Sequence, residues 1–278
     1  MKIFNKIASI QAFLKDKDNI GFVPTMGSLH QGHLSLIKEA LTVNHTVVVS
    51  IFVNPTQFDN KTDLDKYPRD LDKDLALIKT LKSNKISIFA PSATEIYQDV
   101  VQAVSYDFDG LEHQMEGKFR AGHFDGVSTI VKKLFDFVKP QFAYFGEKDF
   151  QQLQIIKKLV KKEQLAIKII PCAIFREKDG LAMSSRNQRL TKEHRENAPF
   201  IYKALQKAKK MFGTKSAAKV TKWVESEFSK NELLKLEYFT IADEATLKTV
   251  KRKNKNKKYR AFIAAFAGDI RLIDNIEL

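Results

Sequence analysis

The sequence predicts an α/β fold: a parallel sheet with helices on both faces, followed by a smaller C-terminal α+β domain. Three observations predict it. Short apolar runs alternate with segments of helical periodicity through the first two-thirds of the chain. The runs are apolar at nearly every position, as suits strands buried on both faces. Beyond Asn187 the order becomes two helices and then three strands, which segregates the elements instead of interleaving them.

In chain order, the predicted buried strands are Ile20–Val23, Thr46–Val53, Ile86–Phe89, Phe142–Phe145 and Ala166–Ile170. Between them, Leu34, Ile37 and Leu41 form one helical stripe, and Leu71, Leu75, Ile78 and Leu81 a second. Val127, Ile130, Val131, Leu134 and Phe137 form a third. Such stripes face a core and carry no functional reading. Lys192–Phe212 and Ser216–Phe228 read as helices with basic outer faces, and Leu236–Ile241, Tyr259–Ala265 and Ile270–Ile273 as strands. The change of character lies at residues 180–188, which divides the chain into domains 1–183 and 184–278.

Composition narrows the classes. With 278 residues, 44% of them hydrophobic, the chain can bury one large core or two smaller ones. The single cysteine, Cys172, rules out an intramolecular disulfide and a multi-cysteine metal site, and its apolar setting reads as a small buried thiol. No apolar run approaches the ~20 residues of a membrane span, and Met1–Lys6 leads to no signal-type block. The expectation is a cytoplasmic protein with no membrane partner. The net charge of +14 is uneven: residues 187–278 carry 21 Lys and Arg against 11 Asp and Glu, whereas residues 1–186 carry 26 against 22. The densest run, Lys251–Lys258, lacks interleaved aromatics and joins two strand-like segments. It reads as a solvated loop, and no nucleic-acid partner is expected.

Four blocks can carry chemistry. The first runs from Pro24 to His33, where a strand ends, the chain turns at Gly27 and a helix begins. Backbone N–H groups gather at such a helix start and favour anions. His30 and His33 are three apart and face one way on a helix, which suits a triphosphate attacked at its α-phosphorus. The alternative is that one histidine caps the helix and the other is solvated. In the second block, Asn54-Pro55 turns the chain at the end of a buried strand, and Asn54 and Gln57 offer uncharged donors and acceptors. Asp63, Asp65, Asp70, Asp72 and Asp74 follow around Tyr67-Pro68-Arg69, most of them as an acidic helix start, one as a candidate to help hold Mg²⁺.

The third block is Gly146-Glu147-Lys148-Asp149 with Gln151-Gln152. Gly146 permits close backbone approach, Lys148 sets a point charge against phosphate, and Asp149 can accept from a ribose hydroxyl. Gln152 lies one helical turn further on. In the fourth, Arg176 to Asn187, two hydroxyls and a guanidinium (Ser184, Ser185, Arg186) follow a glycine turn and can clamp a triphosphate. No P-loop, dinucleotide fingerprint, GxSxG elbow, HExxH or EF-hand pattern competes.

Together these blocks resemble the pantoate–β-alanine ligase family. The resemblance covers nearly the whole chain: PTMGSLHQGH (24–33), SIFVNPTQF (50–58), YPR (67–69), GHFDGVSTIVKKLF (122–135), FGEKDFQQ (145–152), REKDGLAMSSRNQRL (176–190) and RLIDNI (271–276). The broader nucleotidyltransferases with a HIGH motif share only the first and the REKDG…SSR block. The resemblance implies a Rossmann-like nucleotidyltransferase domain and ATP-dependent condensation of (R)-pantoate with β-alanine through a pantoyl-adenylate, with Mg²⁺ and in a homodimer. It implies that Met26, Gly27, Ser28, Leu29, His30, Gln31, Gly32 and His33 lie along ATP, His33 as proton donor. Gly146, Glu147, Lys148 and Asp149 would bind the nucleotide, Phe175 would lie beside the adenine through its backbone, and Met183, Ser184, Ser185 and Arg186 would close over the triphosphate. His30, His33, Lys148 and Arg186 would be catalytic, and Asn54, Gln57 and Gln152 would hold substrate. Arg120 and His123 match a basic pair near the site. Two positions depart from the family: Phe175 replaces a small aliphatic residue, and Thr56 stands where Met is frequent. Two rivals remain, another HIGH-type nucleotidyltransferase that releases its nucleotidylated product, and an RNA-binding protein on the same fold.

Overall fold

The computed structural model describes residues 1–58, 64–65, 67–98 and 100–278. Asp63 lies outside the described residues. The chain divides into two compact units, Met1–Glu147 with Gln151–Ala173, and Lys148–Phe150 with Ile174–Leu278.

The first unit holds a six-stranded, wholly parallel sheet: β1 (Lys2–Phe4), β2 (Ile20–Thr25), β3 (Thr46–Ile51), β4 (Ile86–Phe89), β5 (Phe142–Gly146) and β6 (Lys168–Cys172), in the order β1-β4-β3-β2-β5-β6. Its helices are α1 (Ile7–Leu14), α2 (Gln31–Val43), α3 (Leu71–Lys79), α4 (Ala93–Tyr97), α5 (Met115–Phe119), α6 (His123–Val138) and α7 (Phe150–Lys162). The first residue of α7 belongs to the second unit. The central strands are buried along almost their whole length because both faces are covered. Val23, Val47 and Val49 pack with Leu34, Ile37 and Ile78 of α2 and α3. On the other face, Phe22 meets Phe135 of α6 edge-on at 6.1 Å.

The chain winds outward from β2 through β3 and β4 in one direction and through β5 and β6 in the other. The carboxyl ends of β2 and β5 therefore form the topological switch point, where ligands bind in open α/β sheets. The predicted strands are present, with shifted ends: β3 stops at Ile51 instead of Val53, and β6 begins two residues later than Ala166. The edge strand β1 has only three residues, too short for a periodic signal, so nothing in the sequence announces it.

The second unit has an antiparallel sheet of β7 (Lys235–Asp243), β8 (Tyr259–Ala267) and β9 (Ile270–Glu277), in that order. Its helices are α8 (Lys192–Asn197), α9 (Phe200–Phe212) and α10 (Ala217–Phe228). The single helix expected over 192–212 is split at Ala198-Pro199, where proline supplies no N–H to the ladder. Ile201, Leu205, Val220 and Val224 pack on Phe239, Ile241, Ala261 and Ile263 to form the core. The division between the units falls at Ala173, ten residues before the compositional boundary at 183, because Arg176 and Ala182 bridge each other and Arg176 is bound by β9. The Lys251–Lys258 loop is exposed but not simply solvated. Lys253 Nζ donates to the Phe212 carbonyl at the end of α9, and Lys257 pairs with Asp243 at 3.1 Å.

Candidate active site

β2 ends at Thr25, whose hydroxyl donates to the Ser50 carbonyl (2.7 Å) and accepts from the Gly27 N–H (3.3 Å). Gly27 (φ 80°) and Ser28 (φ 51°) then turn the chain through the left-handed region. Two N–H groups exposed by that turn are taken by one carboxylate: Asp74 Oδ2 accepts from Ser28 (3.0 Å) and Oδ1 from Leu29 (2.7 Å). Asp74 is buried in the first turn of α3, and burial pushes its carboxyl above the ordinary value against the pull of those two hydrogen bonds. A Cβ on Gly27 would stand 2.9 Å from Asp74 Oδ2 and 3.2 Å from an Ile51 methyl, so the turn has no room for one. Asp70 caps α3 by accepting from the Lys73 N–H, as an acidic helix start does. Asp74 departs from that reading, because it faces inward as the clamp of the histidine loop.

The loop delivers His30 as the N-cap of α2. Its backbone N–H donates to His33 Nδ1 at 3.3 Å, and the two rings lie 4.0 Å apart between centroids, tilted by 35°. Because Nδ1 of His33 accepts, its neutral imidazole carries the proton on Nε2. One ring nitrogen of His33 thus fixes the helix start, and the other carries the N–H of the neutral ring.

At the end of β3, the 3₁₀ turn Pro55–Gln57 is pressed against α6. A Cβ on Gly126 would lie 2.1 Å from the Thr56 carbonyl, so glycine is required for the approach. Asn54 is buried, and its Nδ2 donates to Gln57 Oε1 and to the Gly126 carbonyl, both at 3.1 Å. Gln57 Nε2 in turn reaches Met26 Sδ at 2.8 Å. Thr56 turns its hydroxyl to Asn54 and Tyr97. His123 Nδ1 donates to the Gln57 carbonyl (2.8 Å), and Arg120 Nη1 reaches His123 Nε2 at 3.0 Å. Arg120 and His123 therefore hold the backbone of this turn. A cavity of about 500 Å³ opens at the carboxyl ends of β3 and β4, lined by Met26, Gly27, Phe52, Val53, Pro55 and Asp74 among others. Gln152 is half-buried on α7, whereas its neighbour Gln151 is buried and bonded to the backbone of residues 111, 114 and 116.

In the second unit, Lys148, Ser184 and Arg186 line one recess with Asn187 and Asp274. Lys148 Nζ lies 3.5 Å from Asp149 Oδ1. The Arg176–Asn187 segment folds back on itself as a tight hairpin. Arg176 bridges Ala182, Gly180 turns at φ 95°, and the Met183 N–H donates to the Phe175 carbonyl at 3.0 Å. Ser184 then caps the 3₁₀ helix Ser185–Arg189 by accepting from the Arg186 N–H. The terminal RLIDNI block finds its purpose here. Asp274 takes the Arg176 guanidinium in two hydrogen bonds (2.7 and 3.0 Å), and Asn275 Nδ2 donates to the Lys148 carbonyl (2.9 Å). The sequence places this block within the resemblance but assigns Asp274 and Asn275 no role. Among the described residues, no group of three or more His, Cys, Asp or Glu is placed to hold a metal ion, and no helix is long and apolar enough to cross a membrane.

A family model described as pantoate-beta-alanine ligase matches residues 2–277. A protein named pantothenate synthetase from Flavobacterium psychrophilum is 60% identical over 282 aligned residues, covering 100% of both chains. A crystal structure of pantothenate synthetase from Thermus thermophilus is 38% identical, with TM-score 0.93 over 100% of this chain and 99% of that one. A pantoate-beta-alanine ligase from Francisella tularensis, solved in complex with beta-gamma ATP and beta-alanine, is 37% identical, with TM-score 0.80 over 100% of this chain and 97% of that one. With its family-wide match from residue 2 to residue 277, the chain belongs to the pantoate–β-alanine ligase family.

Proposed function

We propose that the chain joins pantoate to β-alanine at the expense of ATP, through a pantoyl-adenylate, with release of pyrophosphate and then AMP. The observation that carries this reading is the close His30–His33 ring pair at the N-terminus of α2, at the sheet's switch point, in a chain of this family. A carboxylate acylates poorly until one of its oxygens attacks the α-phosphorus of ATP and expels pyrophosphate. The resulting mixed anhydride then reacts with the neutral amine of β-alanine, and AMP leaves. No covalent nucleophile is required of the protein, and Cys172, buried with its thiol pushed far above the ordinary value by desolvation, is unsuited to be one.

The work of the protein is alignment and charge neutralisation. The N–H groups at the start of α2 and the Nε2–H of His33 donate to phosphate oxygens as negative charge develops on the departing pyrophosphate. Lys148 and Arg186 supply fixed positive charge to phosphate oxygens, with Ser184 and Ser185 beside them. Met26 to Gly32, Gly146, Glu147, Asp149, the Phe175 backbone and Met183 complete the nucleotide contacts. Gln57 and Gln152 hold the acid, and Asn54 acts through Gln57. Mg²⁺ fits here as a metal carried in on the triphosphate, since it keeps water and takes few protein oxygens and the described residues include no preassembled cage. When bound, it would share the neutralisation of the phosphates. The protein works in the cytoplasm, as a homodimer.

The experiment is ATP–pyrophosphate exchange. Pantoate alone should support exchange and β-alanine alone should not. Exchange that requires β-alanine would overturn the two-step order.

A further inference from the structure

We propose that Tyr97 is a positioning residue for the acid substrate, because its hydroxyl starts a directed hydrogen-bond chain that sets how the Gln57 amide faces the site. The proposal rests on the functional reading above for the identity of that acid. Tyr97 ends α4 with its ring buried, the Phe52 ring 6.4 Å and the Lys133 ammonium 5.5 Å from its centre. Its hydroxyl donates to Asn54 Oδ1 at 2.5 Å, the shortest contact of the group, and lies 3.1 Å from the Thr56 hydroxyl. Burial raises the phenol above its ordinary value, so the group stays a donor.

The direction of the chain follows from the chemistry of its ends. The Gly126 carbonyl can only accept, so Asn54 presents Nδ2 there and Oδ1 to Tyr97. The same Nδ2 donates to Gln57 Oε1, which turns the Gln57 NH₂ toward Met26, a residue that lines the cavity. With one amide N–H on Met26 Sδ, the other suits a carboxylate or hydroxyl oxygen and would repel an ammonium group. The Thr56 hydroxyl donates to the same Asn54 Oδ1 at 3.0 Å and so reinforces the orientation. Tyr97 thus acts on substrate through two amides and touches none of the reacting atoms.

The test is Tyr97→Phe, which keeps the ring and removes the hydroxyl, with Thr56→Val as the milder variant. For exchange, KM for (R)-pantoate should rise about 5- to 10-fold in Tyr97→Phe, the scale of one lost hydrogen bond, while kcat and KM for ATP stay within about twofold. Equal losses for both substrates, or a loss confined to thermal stability, would overturn the proposal. A second readout needs no turnover. The Gln57 side-chain NH₂ resonances, assigned by their disappearance in Gln57→Leu, should exchange with solvent slowly in the wild type and faster in Tyr97→Phe. Unchanged exchange would reject the chain. A wild type that ignores pantoate while Tyr97→Phe still frees the amide would reject the functional reading and leave the positioning of Gln57 by Tyr97 supported.

Discussion

The two segments that carry the candidate phosphate ligands are held in place by opposite means. In the first unit, the Gly27–His33 loop is fixed through its backbone: two left-handed residues, a helix start, and two N–H groups collected by the Asp74 carboxylate. In the second unit, the Arg176–Asn187 segment is fixed by side chains. Arg176 is gripped by Asp274 and stacks on Tyr202 at 3.6 Å, Arg195 reaches Glu177 (2.5 Å) and Asp179 (2.6 Å), and Asn187 bonds Glu177 (2.7 Å). Each segment has a glycine that cannot gain a side chain, yet for different neighbours. Gly27 faces Asp74, the clamp itself, whereas Gly180 faces the Tyr202 ring 2.6 Å from where its Cβ would be. The difference teaches that a loop held by backbone geometry has few residues whose side chains decide its shape. A loop held by ion pairs takes its shape from several side chains, Asp274 and Arg195 among them.

The largest expected effect falls on the ligands that the two segments present. His33→Ala and Arg186→Ala should each lower the rate of pantoate-dependent exchange by about 10²–10³-fold, the scale of one lost transition-state donor. Urea midpoints should stay near wild type for Arg186→Ala, and His33→Ala should lose only the ~1 kcal/mol of its helix-start hydrogen bond. If either variant kept its rate, that segment would not face the phosphates. Next comes the anchor of the second segment. Asp274→Ala leaves the Arg176 guanidinium, 17% exposed, without its bidentate partner, and should cost on the order of 3 kcal/mol in urea unfolding. Loss of exchange without loss of stability would show that Asp274 serves the ligand and not the fold.

The anchor of the first segment should behave in the reverse way. Asp74→Asn can accept only one of the two N–H bonds well, so KM for ATP should rise roughly 5- to 30-fold, from one buried N–H left unpaired. The thermal midpoint should change little, since the carboxylate's own burial is unfavourable. A large fall in the midpoint would erase the contrast between the two anchors. The smallest effect concerns an ion pair of the first unit that serves neither segment. Lys158 and Lys162 donate to Asp109 and hold its carboxyl down to about 2, from an ordinary 3.8. A lowered value means the stabilisation is present above the ordinary range and is lost as pH falls through about 2. The midpoint difference between wild type and Asp109→Asn should therefore be small and constant from about pH 5 to 7, shrink below about pH 4, and shrink also in high salt. A difference that grows on acidification would reverse the assignment.

What the sequence by itself determined are the features written within one turn or one strand. Apolar runs at Ile20–Val23, Thr46–Val53 and Ile86–Phe89 specify strands buried on both faces, and their alternation with helical stripes specifies a parallel sheet. The turn at Gly27 and the helix start at His30–His33 are equally local, and so is the Ser184 cap. Only the tertiary structure decided what holds those pieces. Asp74 stands 46 residues from Ser28, Tyr97 43 from Asn54, Asp274 98 from Arg176, and Asn275 127 from Lys148. In the sequence Asp74 is one acid in an acidic helix start, and Asp274 is a polar residue in a strand. Local propensity is the same for either role. A hydrogen bond between distant residues leaves no periodicity and no spacing in the chain, because its partners are brought together only after the sheet has buried its apolar faces and set the strand ends side by side.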